Sequence, residues 1–416
     1  MSLKKIKYWG ASTSAHQVEG NNHNQWSIWE LASANELSKS APKRYGWLEN
    51  WAEISKEAQD PNNYVSGVSA DHYRLYKEDF DLAKKLNFNA FRFSIEWSRI
   101  EPEEGKWDES AIEYYKNYVR ELRARNFEPF VTLFHFTLPD WFAEKGGFLY
   151  SKNIVYFTRF VEKIISEVKD VTYITTINEP GVYTFMSYMN GKWPPQEKSR
   201  IKTLSLIINL ASAHKKAYKI IKKINPNCKI GISKNYSYFY THNNSLEEKI
   251  MVKALDYLSN LWFLNRVKKH EDFIGINFYF SNRISGFRVR NPNSKVNDLG
   301  WDMKPQNLYQ ILVRLHSKYA KPIFITESGV ADRKDVHRKW WIQQSLKAID
   351  KAIAQGVEVG GYLHWSLLDN FEWADGFWPR FGLIEVDYKT LQRKPRPSAL
   401  WYGEFISKIV NTKELK

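Results

Sequence analysis

The sequence predicts a closed α/β barrel of eight parallel strands, a (β/α)8 fold, and three observations predict it. Apolar, β-rich runs recur eight times along the chain, segments with helical periodicity separate them, and no Gly-x-Gly-x-x-Gly follows any run. Strand alternating with helix argues for a parallel sheet covered by helices. Eight such units close most naturally as a barrel. An open doubly wound sheet is the runner-up, and it would carry the missing glycine signature.

The runs lie at 8–15, 88–95, 129–136, 171–177, 229–233, 273–280, 322–326 and 359–365. The fourth, ending in "ITTI", is β-branched throughout that stretch, as a buried strand prefers. Helices are expected at 71–86, 109–125, 153–168, 201–223, 246–264, 306–319, 336–355 and 398–409. In "DHYRLYKEDFDLAKKL" (71–86), Tyr73, Tyr76, Phe80 and Ala83 fall on one face with charges opposite. The polar stretches 34–70 and 281–305 read as long loops, which in a barrel build the site at the C-terminal ends of the strands. No linker, low-complexity tract or internal repeat divides the chain, so 1–416 is expected to be a single barrel domain.

Composition narrows the function. With 43% hydrophobic residues the 416-residue chain can bury a large core. No apolar run is long enough to span a bilayer, and "MSLKKIKYWGAS" has no apolar block after its lysines, so it is not read as a signal peptide. Cys228 is the only cysteine, which fits a reducing compartment, and the protein is expected to be soluble and cytoplasmic. The net charge of +15 is spread along the chain, and its densest patch, Lys219, Lys222 and Lys223, has the spacing of a solvated helix face. No nucleic-acid or membrane partner is therefore expected. Aromatic residues make up 16% of the chain, with 17 tryptophans, many beside polar groups as in "FEWADGFWPRF" (371–381). Such rings stack on nucleobases and on sugars alike. There is no His-Glu-x-x-His, no Gly-x-x-x-x-Gly-Lys-Ser/Thr, no Gly-x-Ser-x-Gly and no clear histidine cluster, so no metal, cofactor or serine nucleophile is expected.

The strand ends carry the chemistry. The fourth run ends at Asn178 and Glu179, and the seventh, "IFITESG", at Glu327. Arg92 lies on the second, the third ends near His135, the sixth holds Asn277 and Tyr279, and the eighth holds Trp365. Two carboxylates thus face each other across one mouth. Paired carboxylates across a cleft are the equipment for glycosidic bond cleavage, one protonated to assist the leaving oxygen and one ionised. Their mutual repulsion is expected to supply that division, with Arg92 holding one of them ionised.

At this point the chain resembles the family 1 glycoside hydrolases, the β-glucosidase and β-galactosidase family. "STSAHQVEGN", "DHYRLYKED", "FRFSIEWSRI", "FVTLFHFTLPDWF", "TINEP", "INFY", "ITESGVAD" and "GYLHWSLLDNFEWADGF" come in the family's order across nearly the whole chain. The resemblance implies that Glu179 is the acid/base and Glu327 the nucleophile, with Arg92 and Tyr279 orienting the nucleophile. It implies sugar contacts from Gln17, His135, Asn178 and Glu372, an aromatic platform at Trp365, a hydroxyl contact at Trp373 and an aglycone-side wall at Trp301. Asn277, on the same rim, is grouped with the substrate-binding residues. The family retains anomeric configuration, which requires carboxyl groups about 5–5.5 Å apart. A carboxylate at Glu372 is expected to repel a sugar phosphate, which implies an unphosphorylated glycone.

Three departures from the family pattern stand out. Phe136 follows His135 where a tryptophan is commoner, which removes an indole N–H. Ser328 follows Glu327 where an asparagine is common. The chain is also somewhat short, so trimmed rim loops and a more open cleft are expected. The expected partner is a small β-glycoside or short oligosaccharide. A transglycosylase using the same two glutamates is the rival within the enzyme class. A catalytically weak carbohydrate-binding barrel is the rival outside it.

Overall fold

A computed structural model of the protein describes residues 2–414. Eight strands form the barrel: β1 (Tyr8–Ser12), β2 (Ala90–Ser94), β3 (Glu128–Phe134), β4 (Tyr173–Asn178), β5 (Lys229–Asn235), β6 (Ile274–Phe278), β7 (Ile323–Ser328) and β8 (Val359–Trp365). Each runs parallel to its neighbours in chain order, and β8 pairs back onto β1 to close the ring. The predicted fold class is the observed one. All eight expected runs are strands, with ends shifted by a few residues.

The barrel interior changes character along its axis. At the N-terminal end Tyr8, Phe130, Tyr173, Phe273 and Phe324 pack into one aromatic plug with Ala90 and Leu363. Phe130 stacks on Tyr173 at 4.5 Å between ring centroids, and Tyr8 meets both rings edge-on. Toward the C-terminal end the buried residues become polar: Ser12, Arg92, Thr132, Thr175, Ser233, Asn277 and Thr326. Several are linked to one another, with Thr326 Oγ1 donating to Asn277 Oδ1 at 2.7 Å and Ser12 Oγ donating to the Thr326 carbonyl at 2.6 Å. A buried polar group without a partner costs of the order of 1–3 kcal/mol, so these links hold the polar layer together. The plug seals one end and the linked layer floors the site at the other.

The expected helices are present, and one differs in how it packs. In His72–Lys85 the buried face includes Asp79 and His72 beside Tyr76, Phe80 and Ala83. The charges are therefore not all opposite the apolar face. Asp79 is tied to His72 Nδ1 at 2.7 Å and to Arg393 Nε at 2.9 Å. The expected loop at 34–70 is a larger departure. It holds the end of a 21-residue helix, Gln25–Tyr45, then a second helix, Trp51–Ala58. Asn24 caps the first by accepting from the N–H groups of Trp26 and Ser27. Its buried side is Trp26, Trp29, Glu30, Ala34, Ser38, Ala41 and Tyr45, mostly small or polar, and Pro42 sits in its last turn. Within 281–305, Ser281–Ser285 and Arg288–Val289 join Tyr238–Thr241 in a three-stranded sheet. Among the described residues no helix is long and apolar enough to cross a membrane.

Candidate active site

Glu327 lies near the end of β7, just past an irregularity in its pairing with β6. Its Oε1 accepts from Arg92 Nη1 at 2.5 Å and its Oε2 from the Tyr279 hydroxyl at 2.5 Å. Arg92 is fully buried, so this ion pair is shielded from water. Burial alone lifts the Glu327 carboxyl above its ordinary range, while Arg92 and Tyr279 pull it back down. Burial, together with the Glu327 charge, raises the Tyr279 hydroxyl well above the usual range, so it stays a donor.

Glu179 caps the short helix Pro180–Thr184 directly after β4, with left-handed backbone at φ 43°. Such backbone is uncommon for a non-glycine residue and concentrates at functional sites. The Glu179 N–H donates to the Ser233 carbonyl at 2.7 Å, which fixes the turn to β5. Its Oε1 accepts from the neutral amide of Asn277 at 2.8 Å. Burial, and second the charge of Glu327, push the Glu179 carboxyl up to about 8. Repulsion was expected to set the two acids apart; burial is the larger cause. The remaining contrast comes from their partners, a guanidinium for Glu327 and an amide for Glu179.

Asn178 joins the two halves. Its Oδ1 accepts from Arg92 Nη2 at 2.7 Å and Asn277 Nδ2 at 3.1 Å, so its own amide N–H donates. That amide meets His135 Nε2 at 3.1 Å. His135 Nε2 must then accept, which places the ring proton on Nδ1. Burial, with Arg92 adding to it, pulls the His135 imidazolium well below its usual range, so the ring is neutral.

The other expected residues gather around this core. Gln17 Nε2 donates to Asn370 Oδ1 at 2.9 Å, to the Phe371 carbonyl at 2.7 Å and, more weakly, to Glu372 Oε2 at 3.5 Å. Trp365 lies parallel to His135 at 6.0 Å. Trp373 stacks on His16 at 5.6 Å and packs against Trp26, Phe136 and Trp193. Phe136 fills that aromatic cluster with no hydrogen-bonding group of its own. Trp301 stands further out, against Tyr279, Phe280 and Phe381. Burial raises Glu372 well above the carboxylate range, with Asp375, Glu327 and Glu179 adding to it. The shift favours the neutral form, so repulsion of a phosphate by Glu372 alone is weaker than that of an exposed carboxylate.

Sequence reasoning passed over several groups. Asn235 hydrogen-bonds the Glu179 side chain, and Lys234 beside it bears electrostatically on the same carboxyl. Both lie past Ser233, where the fifth run was expected to stop; the signal was the polar ending "SKN" of that strand. His16 and Glu30 form a buried pair at 2.7 Å under Trp373. Glu30 was invisible because it sits on the helix that was not foreseen.

A floor of linked amides under two buried carboxyls, walled by aromatic rings, defines a carbohydrate-processing barrel. The family model for glycosyl hydrolase family 1 matches residues 3–273 and 264–410. β-Glucosidase A of Acetivibrio thermocellus is 31% identical, covering 98% of both chains. A 6-phospho-β-galactosidase of Staphylococcus epidermidis is also 31% identical, over 85% of this chain and 91% of its own. Among solved structures, a β-glycosidase from Pyrococcus horikoshii superposes with a TM-score of 0.85 at 34% identity, covering 97% of this chain and 94% of that one. The β-glucosidase from Thermotoga maritima in complex with glucoimidazole gives 0.85 at 26% identity, covering 98% and 99%. The chain belongs to glycosyl hydrolase family 1 and is an enzyme that hydrolyses O-glycosidic bonds.

Proposed function

We propose that this enzyme is a retaining β-glycosidase of unphosphorylated glycones, with β-glucosides as its preferred substrates. The observation that carries the reading is the unequal partnering of two buried acids. Glu327 is gripped by Arg92 and Tyr279, and Glu179 only by neutral amides. Glu327, ionised, attacks the anomeric carbon as the bond to the aglycone oxygen breaks. Glu179 gives its proton to that oxygen. The sugar is then esterified to Glu327, whose charge is gone. Glu179, now less opposed, loses its proton more easily. It takes a proton from water as the water oxygen bonds to the anomeric carbon and the ester breaks. Both groups return to their starting forms, and two inversions give net retention.

The remaining groups bind and orient. Asn178 is placed to donate or accept at a sugar hydroxyl beside the reacting centre, held there by Arg92, Asn277 and His135. Gln17, His135, Asn277, Glu372 and Trp373 contact the first sugar, Trp365 underlies it, and Trp301 flanks the aglycone. The preference against phosphate rests on what surrounds Glu372. Asp375 bears on it, and Arg44, the cation in contact with Asp375, is committed to that carboxylate at 2.9 Å and to the Ala374 carbonyl at 2.7 Å. A phosphate would be brought toward Glu372 and Asp375, and Arg44 is already paired with the Asp375 carboxylate. The relatives include both a β-glucosidase and a 6-phospho-β-galactosidase, so the point can be decided by substrate. In a panel of nitrophenyl β-glycosides the glucoside is expected to have the highest kcat/KM. Its 6-phosphate is expected to fall about a hundredfold or more below, since like charges brought together cost several kcal/mol. A phosphorylated substrate at the top of the ranking would overturn the glycone assignment.

A further inference from the structure

Lys234 is 3% exposed, and a lysine is almost never so buried without a paired acid. Its Nζ donates to the Asn235 carbonyl at 2.5 Å. It also stands against the first turn of Pro180–Thr184, where a Cβ on Gly181 would lie 3.6 Å from it. Two acids act on it, Glu179 and Asp256. Asp256 is already engaged by Arg314, by the Tyr236 hydroxyl at 3.1 Å and by Asn260 Nδ2 at 2.9 Å. Glu179 is the acid whose charge bears on it more. The two segments are locked together, since the carbonyl of Ser233, next to Lys234, accepts the Glu179 N–H.

We propose that Lys234 is a positioning residue for Glu179, its buried positive charge favouring the ionised form of that carboxyl which the second half of the reaction requires. The inference rests on the acid/base reading of Glu179. In the free enzyme the Glu327 charge opposes Lys234, and Glu179 keeps its proton. Once Glu327 is esterified the opposition ends while the lysine charge remains. Glu179 then ionises and can act as a base. Burial draws the Lys234 ammonium down to about 8, while the Glu179 charge holds it up.

Lys234→Met removes the charge at similar length. The alkaline limb of kcat/KM is expected to move up by about one pH unit, because Glu179 then holds its proton more firmly. Loss of sugar from the glycosyl-enzyme should slow about tenfold near pH 6, seen as a burst with dinitrophenyl β-glucoside. Lys234→Arg should keep the limb in place. Lys234→Gln, which retains a donor for the Asn235 carbonyl, is the parallel uncharged variant should Met not fold. A limb unmoved in the uncharged variants overturns the role of Lys234. Glu179→Ala assayed alongside separates the two readings. Equal losses on good and poor leaving groups would remove the acid/base assignment itself, whereas a normal Glu179 result with an unmoved limb removes only the lysine.

Discussion

Arg92 and Glu327, 235 positions apart in the chain, meet at 2.5 Å inside a barrel that shuts both from water. Glu179, at the end of β4 with two barrel strands between it and β7, has only amide donors within hydrogen-bonding distance. This asymmetry supports the roles proposed for the two acids. A buried carboxylate against a guanidinium can stay charged, whereas burial leaves one with only amide donors nearer its neutral form.

The assignment makes leaving-group dependence the signature of Glu179. Glu179→Ala should reduce kcat/KM about a thousandfold for alkyl β-glucosides, whose departing oxygen needs a proton. For dinitrophenyl β-glucoside, whose phenolate leaves unaided, the loss in the glycosylation step should be small. Stopped-flow rates on both substrates check this. Similar losses on the two would argue against an acid role.

The pH profile follows from the same pair. Free enzyme needs Glu327 ionised and Glu179 protonated, so kcat/KM should rise as Glu327 loses its proton and fall as Glu179 does. The fall is expected near pH 8, the value to which burial and Glu327 raise Glu179. The rise should sit above the ordinary glutamate value of about 4.3, since burial outweighs Arg92 and Tyr279 at Glu327. Tyr279→Phe removes one of the groups that lowers Glu327, so its acid limb should move to higher pH. An acid limb in the wild-type position would show that the hydroxyl does not act on the nucleophile.

Stability is governed elsewhere, and Asp79 shows how. Burial would raise this carboxyl, but His72 and Arg393 outweigh it and hold it below its usual value. A depressed folded-state pKa contributes stability above the unfolded value of about 3.9, lost as pH falls through the folded value. Asp79→Asn should destabilise the protein by about 3 kcal/mol at neutral pH, because Arg393 is left buried beside a neutral amide. The gap from wild type should narrow below pH 4, as thermal unfolding across pH would show. A constant gap would mean that packing, not charge, holds Asp79 in place.

Asp79 also marks where the sequence was hard to read. The helix that carries it was recognisable from Tyr76, Phe80 and Ala83, but periodicity assigns charges to the solvent face and cannot see a partner more than 300 residues away. The helix Gln25–Tyr45 was hidden for a related reason, since Glu30, Ala34, Ser38 and Ala41 on its buried side leave no apolar stripe. The barrel was legible because its strands are buried on both faces and read as recurring β-rich runs. Glu179 and Glu327 were legible because a carboxylate ending such a strand breaks its pattern. Lys234 broke the pattern too, but one residue after the run had been ended. The upward shift of Glu372 depends on its burial and on the acids the fold crowds around it, which no linear spacing reveals.

The central claim is that the Glu327 oxygen bonds to the sugar. A 2-deoxy-2-fluoro-β-glucosyl fluoride tests it most directly. The ring fluorine slows both steps, while the fluoride leaving group lets the first proceed without a proton. Intact mass spectrometry should show the protein gain one fluorosugar, and peptide mapping should place it on Glu327 in "ITESGV". A label on Glu179 or Glu372, or turnover with inversion and no labelled protein, would contradict the account.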